Sequence, residues 1–237
     1  MSTMNTMPPR PPEAEPGPDA TFRRISRDSL SERAYQEIRA ALMLSRLKPG
    51  EKLLLRPLAA RLGISATPVR EALLRLVSEQ ALQMDERGTA VVPRIDRARF
   101  LEIRALRCTL EGQAGAAAAA KAGAADIAAL AALHDRLVEA EARQDYAAAL
   151  QANEQFHFGL CRLAEMPVLL GLLEILWMQC GPLLSQLYAG APENPPQHGH
   201  LQALEGLRRR DGAMVRAAVL RDIEEGGRPL LDFFPEG

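Results

Sequence analysis

Between Leu53 and Leu82 the chain reads LLLRPLAARLGISATPVREALLRLVSEQAL, which is two short helices with a glycine between them. Leu58, Ala59 and Leu62 give the first helix an apolar side. Gly63 ends it, because glycine enters the left-handed conformation of a helix terminus without a Cβ clash. Ser65 or Thr67 can cap the second helix, and Pro68 suits its first turn, where a missing N–H leaves nothing unpaired. Val69, Ala72, Leu73, Leu76 and Val77 then recur at helical spacing, with Arg70, Glu71 and Arg75 on other faces. A short helix, a glycine turn and a helix with a polar N-terminal end make a helix-turn-helix. An earlier helix is expected from Ser29, capped by Ser29 or Ser31, with Ala34, Tyr35, Ile38, Leu42 and Leu44 as its apolar side. Leu47-Lys48-Pro49-Gly50-Glu51 then reads as a turn.

Helix, turn and helix also occur in helical proteins that never meet nucleic acid, so the residues themselves matter. Leu62-Gly63-Ile64-Ser65-Ala66-Thr67-Pro68-Val69-Arg70-Glu71-Ala72-Leu73, followed by Arg75-Leu76, resembles the DNA-binding domain of the GntR family of bacterial transcription regulators. The resemblance implies contacts to operator DNA from Arg56, Ser65, Thr67, Pro68 and Arg70. The family usually carries arginine after Ser65, where this chain has Ala66. Arg70 and Arg56 are therefore expected to carry most of the base reading. Beyond the second helix, Leu82-Gln83-Met84 and Thr89-Ala90-Val91-Val92-Pro93 bracket Asp85-Glu86-Arg87-Gly88, a β-hairpin signal. A hairpin in that place is the wing of a winged helix. The resemblance implies that its tip, Arg87-Gly88, enters the minor groove, where arginine meets negative potential and glycine lets the backbone approach.

Charge supports a polyanion partner for this part alone. Residues 22–95 hold 14 Lys/Arg against 8 Asp/Glu, and the rest of the chain holds 15 against 22. A basic N-terminal part followed by an acidic remainder suits nucleic acid at one end only, and argues against a structural protein that coats DNA along its whole length. The 237 residues allow two modest domains, and 47% hydrophobic with 4% aromatic residues and long alanine runs favours helix over sheet. The fold expected is mainly α: a winged helix-turn-helix over 22–95 and an antiparallel all-α bundle over 97–232, behind a disordered proline-rich tail over 1–21. Helices are expected near 97–122, 126–143, 145–164, 167–189, 196–210 and 212–225, with Asp126, Asp145 and Asp211 at helix starts and a kink at Pro182. Cys108, Cys161 and Cys180 are few, distant and odd in number, as in a reducing cytoplasm. No signal peptide opens the chain, and no uncharged apolar run reaches membrane-spanning length, so no membrane partner is expected.

The helical half resembles the FCD ligand-binding domain of the FadR-type branch of that family. Arg107-x-x-Leu110-Glu111, Asn153-x-x-Phe156-His157, and His200 with Leu204, Leu207 and Asp211 carry the resemblance. In the family, a metal is held by an Asp and a His four apart, a further His, and a second His 22 residues on. Those positions here are Asn153, His157, His200 and Asp222, so an amide stands for the carboxylate and a carboxylate for the last imidazole. The charge brought to a metal is unchanged. Zinc is the first expectation, with nickel or manganese as alternatives given the oxygen share. His198 can substitute for His200 if the helix begins later. The competing reading makes His157 a core histidine and Asp222 a surface residue. Arg107, which matches the family position, and Arg104 are read either as a clamp for the carboxylate of a small organic acid effector, or as a salt bridge to Glu111 or a surface face. Trp177 and Tyr188 are read as packing the core or a dimer face in preference to lining the cavity.

No nucleophile elbow, phosphate loop, dinucleotide fingerprint or HExxH helix is present. A metal-dependent hydrolase fused to a DNA-binding module is the alternative function, but spacing provides no general base for it, and the expectation is a non-enzyme. The reading is a cytoplasmic homodimeric transcription regulator. Two-fold symmetry would set two recognition helices on a palindromic operator.

Overall fold

A computed structural model describes residues 30–188 and 198–234. The expected tail, the Ser29 cap and the start of the 196–210 helix lie outside those residues. Among them the chain forms nine α-helices and one small sheet.

Helix α1, Leu30–Met43, packs Ala34, Tyr35, Ile38 and Leu42 inward. Strand β1, Lys52–Leu53, leads into α2, Leu55–Leu62, which Gly63 ends at φ 67° with Ile64 N–H returning to Ala59 O. Ser65 takes the extended cap position of α3, Ala66–Ser78, although its hydroxyl makes no capping bond. Thr67 and Pro68 lie inside the first turn of α3, so Thr67 is not the cap. Val69, Ala72, Leu73 and Leu76 of α3 close the core against α1.

Strands β2, Gln83–Met84, and β3, Ala90–Val91, form the expected hairpin. Asp85 builds its turn by accepting from the backbone N–H of Arg87 (3.0 Å) and Thr89 (2.9 Å), and Gly88 supplies the φ of 73° that the turn requires. The sheet has a third member that the sequence reading assigned to no strand. β1 pairs antiparallel with β3, giving the order β1-β3-β2, and Lys52 reaches across to Asp85 at 2.9 Å. Two residues are too short to show an alternating pattern, and pairing rather than propensity makes them a strand.

The remaining helices are α4 (Arg97–Lys121), α5 (Ala124–Ala142), α6 (Tyr146–Leu163), α7 (Pro167–Leu184), α8 (His200–Arg209) and α9 (Gly212–Gly226). Asp96, Asp145 and Asp211 cap α4, α6 and α9 through the N–H of Arg99, Ala148 and Met214. Asp126 sits one turn later than such a cap and reaches back to the N–H of Gly123 at 2.9 Å. Pro182 lies two residues before α7 gives way to a 3-10 turn, Ser185–Tyr188. Its missing N–H therefore falls where the helix is ending. By length and composition, α7 with that turn could cross a membrane, yet Trp177, Met178, Cys180 and Leu184 are buried in the bundle and Glu174 pairs with Arg39 of α1.

The same helix joins the two halves. Gly181 lies against the backbone of α1, and a Cβ there would stand 2.4 Å from Leu42 O and 2.9 Å from Met43 Cα. Ser45 bonds the Gly181 carbonyl, and Arg99 donates to both Gln80 (2.8 Å) and Gln179 (2.9 Å). One continuous apolar core runs from α1 and α3 to Trp177 and Met178. Gly181→Ala should therefore destabilise the protein by about 1–3 kcal/mol through overpacking against backbone that cannot rotate away. Urea denaturation measures this, and a loss within error would mean that α7 slides on α1 freely.

Candidate functional site

Arg56, Ser65, Thr67, Arg70, Arg87 and Gly88 are all exposed, and Pro68 is half-buried. The hairpin and α3 share one groove, lined by Arg70 and Gly88 with Leu54, Leu74 and Met84. The groove thus joins an arginine from the helix to the glycine of the wing, the two elements that the sequence reading assigned to DNA. Exposure of three large apolar side chains here, Leu54, Leu74 and Met84, had no sequence signal.

The helical half encloses a cavity among α4, α6, α7 and α9. Its wall combines apolar side chains, including Phe100, Ile103, Leu184 and Ile223, with Arg104, Arg107, Asn153, His157, His198 and Asp222. Five of the six expected effector and metal residues therefore reach the cavity. The sixth, His200, lies buried behind that wall with its ring stacked on Phe156 at 3.6 Å. Trp177 and Tyr188 line the cavity, a place that the sequence reading ranked below the core or a dimer face. Both are buried as well, and apolar periodicity cannot separate a core wall from a cavity wall.

Glu111 of α4 organises the site. It is 1% exposed and accepts from Arg107 Nε at 2.7 Å and Trp177 Nε1 at 3.0 Å, and its second oxygen meets His157 Nδ1 at 2.7 Å. Burial alone would raise its carboxyl group, but the charges of Arg107 and His157 overcome this and lower it to about 2. Burial likewise works against the His157 imidazolium, and Glu111 with Asp222 outweighs it, lifting that group to about 9. His157 Nε2 lies 2.9 Å from Asp222 Oδ2. Asp222, though buried, is held below the ordinary carboxylate range by that bond. Arg107, Glu111, His157 and Asp222 thus alternate in sign along one buried chain. The sequence offered both roles for Arg107, and the fold gives it the ion pair with Glu111 and a place in the cavity wall together. Its guanidinium also rests on the Trp177 ring at 4.0 Å and bonds Cys180 Sγ at 3.7 Å.

Beside this chain several polar atoms are buried with no hydrogen-bond partner: Asn153 Oδ1, His134 Nδ1 and both ring nitrogens of His200. Burial keeps His200 well below its ordinary value, hence neutral. One ligand-capable atom from each of His157, His200 and Asp222 lies within 4.8 Å of the others. Unpaired buried imidazole and amide groups are costly, and a divalent cation accepts nitrogen and oxygen donors of this kind. The donor set therefore fits a metal. Of two carboxylates near it, Glu111 stood in the sequence as part of the Arg107-x-x-Leu110-Glu111 match and as a partner of Arg107, whereas Glu141, which meets His198 Nε2 at 3.1 Å, carried no signal.

Comparison with known proteins gives a consistent picture. Residues 30–92 match the family described as bacterial regulatory proteins, gntR family, and residues 102–225 match the FCD domain. The chain is 36% identical over 160 residues to the HTH-type transcriptional regulator McbR of Escherichia coli strain K12, covering 68% of this chain and 72% of that protein. It is 25% identical over 207 residues to a probable D-xylose utilization operon transcriptional repressor of Paenarthrobacter nicotinovorans, covering 86% and 90%. The solved structure of E. coli McbR/YncC superposes with a TM-score of 0.81 at 30% identity, covering 87% of this chain and 99% of that one.

The buried pair makes a prediction that needs no ligand. Arg107→Ala strips Glu111 of its strongest partner and should cost about 3–5 kcal/mol of stability, the usual penalty for leaving one buried charge behind. Urea denaturation without any added acid measures it. A loss below about 1 kcal/mol would place the pair among solvated, weak ones.

Proposed function

The chain belongs to the gntR family of bacterial regulatory proteins and carries an FCD domain, and from that premise we propose a transcription regulator whose hold on operator DNA is set by a small carboxylate bound in a metal-containing helical cavity. Residues 22–95 are the DNA-binding part, and 97–232 the effector-binding and dimerisation part. The observation that carries this reading is the set of unpartnered buried donors, Asn153 Oδ1 and the His200 nitrogens, beside His157 and Asp222 in a cavity that also receives Arg104 and Arg107. Asn153, His157, His200 and Asp222 would hold the cation, with zinc first and nickel or manganese next. When bound, such a cation supplies a Lewis-acidic point for a carboxylate oxygen. The protein's own groups do the rest. Arg107 and Arg104 present positive charge to an acid, Glu111 fixes the orientation of Arg107 and His157, and the apolar wall excludes water.

On the DNA side, Arg56, Thr67 and Arg70, with Ser65 and Pro68 shaping the helix start, face the major groove, and Arg87-Gly88 the minor groove. A homodimer matches two such units to a palindrome. Three buried free cysteines accord with a cytoplasmic protein. The relatives are transcription regulators, so a regulator is preferred to an enzyme.

Two measurements test the reading. Arg70→Ala should weaken operator binding by about 1–3 kcal/mol while leaving random DNA nearly unaffected. An equal loss on both would reduce Arg70 to a phosphate contact. Protein purified without chelator or metal-leaching tag should contain close to one divalent ion per chain, and a His157→Ala, His200→Ala double variant should contain none. Equal trace metal in both would leave the cavity to bind its acid through arginine alone.

A further inference from the structure

All four histidines of the chain come to one place. The rings of His134, His157 and His198 lie 5.4, 5.4 and 5.2 Å from that of His200. We propose that His198 is a metal ligand in its own right, completing a set of three imidazoles and one carboxylate with His157, His200 and Asp222. The assignment rests on the metal reading of the cavity and changes its composition, because Asn153 becomes at most a weak participant.

The argument is a matched pair of arrangements around Asp222. His157 has one ring nitrogen against a carboxylate, Glu111 Oε2 at 2.7 Å, and the other facing Asp222 Oδ2 at 2.9 Å. His198 repeats this at the other carboxylate oxygen. Its Nε2 meets Glu141 Oε1 at 3.1 Å, and its Nδ1 faces Asp222 Oδ1 at 3.9 Å. A carboxylate behind one nitrogen fixes the tautomer and makes the other nitrogen a better donor to a cation, which is the usual setting of a metal-bound histidine. Glu141 is itself anchored, accepting from Tyr188 O–H at 2.7 Å, and the Tyr188 ring stacks on Tyr146 at 4.5 Å.

The backbone holds His198 in register with His200. Between them Gly199 donates its N–H to Asp222 Oδ1 at 2.7 Å. It lies so close to α9 that a Cβ would stand 2.4 Å from Ala218 O. The segment His198-Gly199-His200 is thus pressed onto the helix that carries Asp222, with both imidazoles toward Asp222 Oδ1. Asp222 Oδ1 also lies 3.7 Å from His200 Nε2. The amide oxygen of Asn153 is a weaker neutral donor than an imidazole nitrogen toward zinc.

The test is zinc affinity of the full-length protein, by competition with a chelating dye, together with the visible spectrum of the cobalt(II)-loaded form. His198→Ala should weaken zinc by at least about 100-fold, and Glu141→Gln by about 10–100-fold, as loss of a supporting carboxylate does. Asn153→Ala should weaken zinc less than His198→Ala does. Replacement of an imidazole by water should move and weaken the cobalt absorption more in His198→Ala than in Asn153→Ala. His198→Gln, which keeps a polar side chain beside Glu141, stands in if the alanine variant fails to fold. Zinc held as tightly by the His198 variants as by the wild type overturns this assignment and leaves the metal site standing. Wild type that holds no zinc, cobalt, nickel or manganese removes both.

Discussion

A buried carboxylate that receives three donors at once is the constraint on which the helical half depends. Glu111 takes Arg107 from its own helix, His157 from α6 and Trp177 from α7. Removed from water, a lone carboxylate would be severely penalised, and only the simultaneous arrival of these three partners makes its burial tolerable. The requirement fixes the relative position of three helices that apolar packing alone would leave freer to slide, because Leu, Ala and Val contacts are not directional. It also puts an arginine and a histidine, both desolvated and both oriented, on the wall of the same cavity.

The parts of this fold that depend on local chemistry were legible from the residues. Gly63 ends α2 in the left-handed conformation, and Asp145 and Asp211 cap their helices, each through a bond made within three residues. The winged helix was legible for the same reason, since its turn is made by Asp85 and Gly88 inside the hairpin. Strand β1 was not, because Lys52 and Leu53 are a strand only by pairing with residues nearly forty positions away. Pro182 was read as a kink inside a helix reaching 189, and α7 ends at Leu184, two residues after it.

The site divides along the same line. Asn153 and His157 share a face because four residues on a helix impose it, and Arg107 with Glu111 likewise. His200 and Asp222 came from a resemblance in spacing, and the fold brings both to His157. What no local rule could supply is which carboxylate stands behind which histidine. Glu141 and His198 are 57 positions apart and meet only because α5 packs on α8. Tyr188 and Trp177 were assigned to packing, and they do pack, yet their polar atoms serve Glu141 and Glu111. An aromatic residue in a helical stripe has the same sequence signature whether its far edge meets leucine or a carboxylate.

The two functional regions are physically continuous through α4 and α7. Near its start α4 offers Arg99, which bonds Gln80 at the foot of α3 and Gln179 of α7, and two turns later it offers Arg107 to the cavity. On α7, Trp177 and Cys180 face Arg107, while Gln179 and Gly181, interleaved with them, face the winged helix. Adjacent residues of one turn therefore serve both regions, and backbone contact at Gly181 leaves α7 no room to move on one side without repacking the other. A ligand shifts such an arrangement only by the difference in its affinity for the alternatives. Here an acid that draws Arg107 away from Glu111 would meet that condition, because the Arg107 guanidinium lies on Trp177 of the same helix that seats the DNA-binding part. The coupling then needs no long relay of side chains: one helix turn is shared by the cavity and the joint.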